Sequence, residues 1–303
     1  MIEDPLVTLG LTVWSPRRVD WLRTAVDSAL AQRGCRIELL VVDDGSPQPV
    51  EELLAGVDDE RMHILRLPHG GLPIARNAVF EHGAGDYVRL LDDDDAFPVD
   101  GTALLLRAAE GRQDRITYGI TMVCDPELCP RWRMAPRQHG DATVDSLLAR
   151  FNVRPGGMLF PRRVFELAGG FDPSFGVSED WDFIQRALEH AEVRRVPAVV
   201  HLYRRHGGGM TTDYAAGEVN ARRVVDRYFE RHPEQRGTRL QARAYAMLDA
   251  RQARIRALRG DRTAAMRHAA SALRRDPFAF ANELHQAASA LRGRLATRLG
   301  RTP

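Results

Sequence analysis

Residues 85–95 read GDYVRLLDDDD. An apolar stretch over 86–91 runs straight into four consecutive aspartates, Asp92 to Asp95. Residues 37–42 (IELLVV) have the same design and end in Asp43, Asp44, Gly45 and Ser46. Apolar runs of this kind are strands covered on both faces, as in a parallel sheet. Residues 6–13 and 63–67 read as two more strands. Between the strands lie helical spacings over 19–32, marked by Leu22, Val26, Ala29 and Leu30, a short one over 50–54, and one over 72–81 after Gly70 and Gly71. Strand and helix alternating at this pace predict a parallel α/β sheet.

The remainder is more mixed. Helices are expected over 103–110, 161–168 and 179–190, and strands over 115–123, 156–160 and 193–203. The polar, proline-bearing stretch 124–141 reads as a long loop. From residue 215 the texture changes to Ala, Arg and Leu at helical spacing, punctuated by Gly237, Gly260 and Asp276-Pro277. Three or four helices are expected there. One hairpin around Gly260 is similar to a tetratricopeptide unit, but no second copy follows at a fixed period.

The 303 residues are 44% hydrophobic and 28% charged, an ordinary globular composition that excludes a disordered chain, a collagen and a coiled-coil rod. A net charge of +2 excludes a generic nucleic-acid binder. That balance divides into −9 over 1–214 and +11 over 215–303, which suggests a catalytic unit and an accessory one. Every basic side chain is Arg, as in proteins of GC-rich genomes. Cys35, Cys124 and Cys129 are too few for a disulfide framework and suit a reducing cytosol. Cys124 and Cys129 lack the second pair or the histidines that zinc needs. The acidic N-terminus does not read as a signal peptide, and no run approaches 18 apolar residues. A cytoplasmic protein is expected.

Five constellations carry chemistry. The Asp92–Asp95 run ends a buried strand, and strand carboxyl ends point into the ligand crevice of an open α/β sheet. In extended chain Asp92 and Asp94 face one way, and Asp93 and Asp95 the other. One pair can hold Mg²⁺ or Mn²⁺, completed by water and substrate phosphate. Asp43 and Asp44 can accept hydrogen bonds from a base or ribose, or form a turn or helix cap. Arg76, one turn inside its helix, can reach a phosphate, a base or an acid. Ser178, Glu179, Asp180 and Asp182 combine an N-cap with a candidate general base, Asp180. Tyr203-Arg204-Arg205-His206 offers a metal-binding histidine and arginines for a diphosphate.

Taken in order, these segments resemble the family 2 glycosyltransferases. The matching pieces are 25–32 (AVDSALAQ), 38–46 (ELLVVDDGS), 71–77 (GLPIARN), 85–95 with Pro98, 169–172 (GGFD), 179–182 (EDWD) and 203–206 (YRRH). The resemblance covers residues 6–212. It implies a GT-A fold, a mixed and mainly parallel sheet flanked by helices, with 215–303 as an all-α extension. It implies inverting transfer of a sugar from a nucleoside-diphosphate donor, with UDP the usual nucleotide, to a glycan, glycolipid or small-molecule acceptor. Asp43 or Asp44 would hold the base or ribose with Arg76 nearby. Asp92, Asp93 and Asp94 would meet the donor, Asp94 gripping the metal with Asp92 and His206. Asp180 would be the base, beside Glu179. The chain departs from the family at Trp14 and Ser15, which replace the usual first-strand turn in the nucleotide pocket. Two other classes remain open on the residues: a sugar-phosphate nucleotidyltransferase, for which Ser15-Pro16-Arg17-Arg18 is a poor phosphate loop, and a non-catalytic sugar-nucleotide-binding module. The Arg-rich residues 284–301 suit a helix packed on the catalytic domain, a homodimer surface, or peripheral contact with the inner face of the cell membrane.

Overall fold

The computed structural model describes residues 4–16, 18–134, 154–206, 214–278 and 280–281. They fall into two compact units, one holding 4–134 with 154–206 and the other 214–281.

The first unit is built on an eight-stranded sheet. Its strands are β1 (Leu6–Val13), β2 (Arg36–Asp43), β3 (Met62–Arg66), β4 (Tyr87–Asp92), β5 (Arg115–Cys124), β6 (Pro130–Met134), β7 (Met158–Pro161) and β8 (Glu192–Arg204). β3, β2, β1 and β4 lie side by side and parallel. β7 then runs antiparallel between β4 and β5. β5 also pairs antiparallel with β6 and parallel with β8. The sheet is therefore mixed, with a parallel half made from the unbroken apolar runs. Its helices are α1 (Val19–Leu30), α2 (Val50–Leu53), α3 (Leu72–His82), α4 (Gly101–Ala109), α5 (Arg162–Ala168) and α6 (Glu179–Leu188).

Helical spacing explains the packing of α1: Leu22, Ala25, Val26 and Ala29 are buried and join Leu9, Leu11, Leu39 and Val41 in one core. On α3, Val79 meets β1 so closely that a Cβ on Gly10 would lie 2.1 Å from its Cγ1. Only hydrogen fits at residue 10.

The expected loop over 124–141 is not one. Asp125 Oδ1 accepts from the amides of Glu127 and Cys129, and Leu128 takes a left-handed φ of 60°. This turn closes a hairpin and makes 130–134 an edge strand; 135–141 lie outside the described residues. Polar composition indicated a loop where an Asp-centred turn between two strands was encoded.

One charged side chain sits where the pattern demanded an apolar one. Arg89, in the middle of β4, is fully buried. It donates to Thr102 Oγ1 (2.8 Å), to the Gly156 carbonyl (3.1 Å) and to the Val200 carbonyl, and its guanidinium lies 3.5 Å from the Phe97 ring centre. No carboxylate faces it among the described residues, and burial pushes it down to about 9. It remains a cation at neutral pH, satisfied by neutral acceptors from β8, α4 and the turn before β7.

The second unit contains α7 (Tyr214–Arg231), α8 (Arg239–Leu258) and α9 (Arg262–Arg275). α8 and α9 form a hairpin turned at Gly260, whose φ is 82°. Asp261 caps α9 by accepting from the Ala264 amide at 3.0 Å. Asp249 of α8 receives Ser271 and pairs with His268 of α9.

Arg89→Met keeps volume but leaves the Gly156 and Val200 carbonyls without donors. Unfolding should require about 2–4 kcal/mol less, lowering the thermal midpoint by roughly 5–10 °C. Superimposable melting curves would refute the role given to Arg89.

Candidate active site

The register of the parallel strands assembles the site. Thr12 of β1 stands opposite Asp92 of β4, and Val13 opposite Asp43 of β2. Residues 14–15, Asp43-Asp44 and Asp92–Asp95 are thus brought together at the carboxyl edge of three neighbouring strands, the usual crevice of such sheets.

Asp43 is 0% exposed. Its carboxylate accepts from the amides of Ser46 (2.7 Å) and Val50 (3.3 Å) and pairs with Arg66 at 2.6 Å. Asp44 accepts from the Gly70 and Gly71 amides at 2.7 and 2.9 Å and meets His69 Nδ1 at 2.9 Å. Both acids are hydrogen-bonded inside the protein, one fixing the turn into α2 and the other the turn into α3. The two carboxylates expected to meet the nucleotide thus also hold the backbone of these turns. The surface they shape is aromatic: Trp14, 55% exposed, stacks on His69 with ring centres 4.6 Å apart. Ser15 beside it holds a left-handed φ of 52°, which turns the chain at the end of β1.

Arg76 reaches acids, one of the partners its place in the helix allows. It is buried, and both terminal nitrogens are taken: Nη1 donates to Glu179 at 2.7 Å and Nη2 to Asp92 at 2.9 Å. It is a bridge between strand β4 and helix α6. Burial opposes ionisation of Asp92, but the charge and hydrogen bond of Arg76 outweigh it and hold the carboxyl below its usual range. Glu179 goes the other way: burial and the neighbouring Asp180 charge push it up to about 7 against the pull of Arg76. Asp180 is only partly buried and accepts from the Trp181 amide at 2.8 Å. Ser178 precedes α6 with a left-handed φ of 71° and makes no side-chain cap, so the expected N-cap bond is absent.

The remaining aspartates diverge. Asp95 is buried, accepting from the Arg204 amide at 2.8 Å and meeting His201 Nε2 at 2.9 Å. Burial and the Arg89 charge hold His201 at about 3, so its ring is neutral. Arg204 donates to the Asp94 carbonyl at 2.6 Å and to the Pro126 carbonyl, and lies over Trp21. It ties the aspartate turn to β8. Asp94 Oδ2 meets His206 Nε2 at 2.7 Å. Burial, then neighbouring negative charge, raises the carboxyls of both Asp93 and Asp94.

Among the described residues no three His, Cys, Asp or Glu side chains converge as a ready cage for a metal. The donor set nevertheless fits a hard divalent ion that draws most of its ligands from phosphate and water. Asp94 and His206 supply adjacent oxygen and nitrogen, and repulsion within the acidic run is what a cation would relieve. The reading of the sequence missed His69, Arg89, His201 and the clasping role of Arg204. Of these only Arg89 left a local signal, a charge inside an apolar strand.

Comparison with known proteins agrees with this architecture. Residues 17–166 match the family model described as Glycosyl transferase family 2. The chain is 26% identical over 212 residues to a glucosyl-dolichyl phosphate glucuronosyltransferase of Haloferax volcanii, covering 66% of this chain and 64% of that protein. It thus spans less than two thirds of that relative's length. It is 27% identical over 245 residues to the succinoglycan biosynthesis protein ExoO of Rhizobium meliloti, covering 75% and 69% of the two chains. S. aureus TarS 1-349, solved in complex with UDP-GlcNAc, has a similar fold: the TM-score is 0.60 at 12% identity, with 89% of this chain and 92% of that one covered.

The raised Glu179 carboxyl binds its proton more tightly in the folded protein than in the unfolded chain. Its linkage stabilises fully below about pH 4.3 and is lost as pH rises through about 7. Between about pH 5 and 8 the unfolding midpoint of the wild type should fall relative to that of Glu179→Gln. A difference independent of pH would show that Glu179 titrates normally.

Proposed function

The chain belongs to the family 2 glycosyltransferases, and from that premise we propose that it moves a sugar from a UDP-linked donor to an acceptor hydroxyl, with inversion at the anomeric carbon and help from a divalent cation. One observation carries the reading. A single buried guanidinium, Arg76, holds the donor-side acid Asp92 and the N-terminus of the helix bearing Asp180 in one cluster. Two acidic functions at fixed separation are what displacement at a sugar carbon requires.

Trp14 offers a flat face for the nucleotide base, backed by His69 and kept in place through Asp44. Asp94, Asp92 and His206 would hold Mn²⁺ or Mg²⁺. Bound there, the ion supplies Lewis-acid neutralisation of charge on the departing diphosphate. Asp180 takes the proton of the acceptor hydroxyl as the oxygen attacks from the face opposite the leaving group, and one direct displacement inverts the centre. Glu179 does not share that work: it is committed to Arg76 and keeps the bridge in place. UDP is supported by the UDP-GlcNAc bound to TarS, a protein of the same fold. A glycan or glycolipid acceptor agrees with the names of the two curated relatives.

Asp180→Asn should leave binding of a UDP-sugar within about twofold while lowering turnover by about 10²–10⁴-fold, followed as UDP release. Full turnover by that variant would remove Asp180 from the base role. A thermal-shift panel of nucleoside diphosphates with Mn²⁺ should raise the melting point for UDP, and EDTA should abolish the gain. Asp94→Asn and His206→Ala should shrink the metal-dependent part. No shift with any nucleotide, with or without metal, would overturn the donor assignment. Trp14→Ala should weaken UDP binding about tenfold; unchanged affinity would show that the base lies elsewhere.

A further inference from the structure

Helix α9 turns an unexpected face to solvent. Its buried side is alanine, with Ala264, Ala265 and Ala272 packed inward. Its outer side carries Met266, Ala270 and Leu273 at spacings of four and three, which places them in one row. Met266 is 65% and Leu273 45% exposed, and Phe278 just beyond is 74% exposed. Scattered exposed apolar residues need no explanation, but a row on one helix does.

Every charged side chain within α9 is basic: Arg262, Arg267, Arg274 and Arg275 are all exposed, and the helix contains no acid. Arg275 pairs with Asp249. Arg262, Arg267 and Arg274 make no ion pair among the described residues, so their charge is available to a partner. Arg267 and Arg274, seven apart, follow the apolar row along one flank. A protein partner would meet the three cations with acids, and a nucleic acid would have no use for exposed Met, Leu and Phe. An apolar row edged by unpaired arginines matches the boundary of an anionic bilayer, where the row enters the acyl region and arginines reach headgroup phosphates.

We propose that the outer face of α9, with Met266, Leu273 and Phe278 as its apolar contacts and Arg262, Arg267 and Arg274 as its cations, docks the protein on anionic membrane lipid. The proposal is independent of the donor and acceptor assignments.

Flotation of the full chain with vesicles of equimolar phosphatidylcholine and phosphatidylglycerol tests it. Binding is expected there, is expected to weaken as salt rises, and should be absent with phosphatidylcholine alone. Met266→Asp combined with Leu273→Asp should lower partitioning about tenfold or more, with circular dichroism and melting unchanged because both side chains face solvent. Should that variant not fold, Arg267→Gln with Arg274→Gln provides the second arm and should remove most of the salt-sensitive binding. Several results overturn the proposal. They are no flotation with anionic vesicles, equal flotation with neutral ones, wild-type flotation by either variant once folded, and binding to duplex RNA in place of vesicles. A change of oligomeric mass in the variants without loss of flotation would assign the face to a second copy. Loss of binding only when Arg292, Arg294 and Arg298 are neutralised would assign the contact to residues beyond α9.

Discussion

One guanidinium decides how the candidate active site is held together. Arg76 arrives on α3, is buried, and places its two terminal nitrogens on the carboxylates of Asp92 on β4 and Glu179 on α6. Two acids in a recess repel each other and resist burial; the shared cation overcomes this at Asp92 and opposes it at Glu179. The geometry has a consequence for division of labour. Both terminal nitrogens of Arg76 are engaged by carboxylates, and Glu179 is engaged by Arg76. Asp180, next along the helix, is more open, as the base role proposed for it requires. Breaking either half of the bridge exposes a buried charge, so the cluster is held as a unit.

A second level of support lies beneath the aspartate run. Asp95 and Arg204 lock the turn to β8, and neutral His201 receives the inner face of Asp95. The four consecutive acids are therefore not four equivalent ligands. Asp92 answers to α3, Asp94 to His206, and Asp95 to the sheet. Arg89, one layer further in, anchors β8 from the other side with neutral acceptors only.

The fold was legible because its signals are local. Unbroken apolar runs ended in acids at Asp43 and Asp92, helical spacing marked α1 and α3, and glycines marked the turn into α3. The positions of the candidate site residues followed from strand ends. Their partners did not. Arg76 to Glu179, Asp95 to His201 and Asp94 to His206 join residues about a hundred positions apart, and no spacing rule reaches that far. The same gap hid the backbone bonds of Asp43 and Asp44, since a carboxylate that holds a turn looks identical in sequence to one that does not. The hairpin at 125–134 escaped notice for a different reason: a turn built on one aspartate and a left-handed leucine has no glycine to announce it.

The stacked pair at the mouth of the site has a practical meaning. The protein has four tryptophans. Trp21 and Trp181 are buried, Trp132 is half-buried, and Trp14 alone stands largely in solvent against an imidazole face. Its emission is therefore the component most sensitive to whatever settles on that face. The chain carries an intrinsic optical reporter at the edge of its own crevice, one that needs no dye and can follow occupancy in real time.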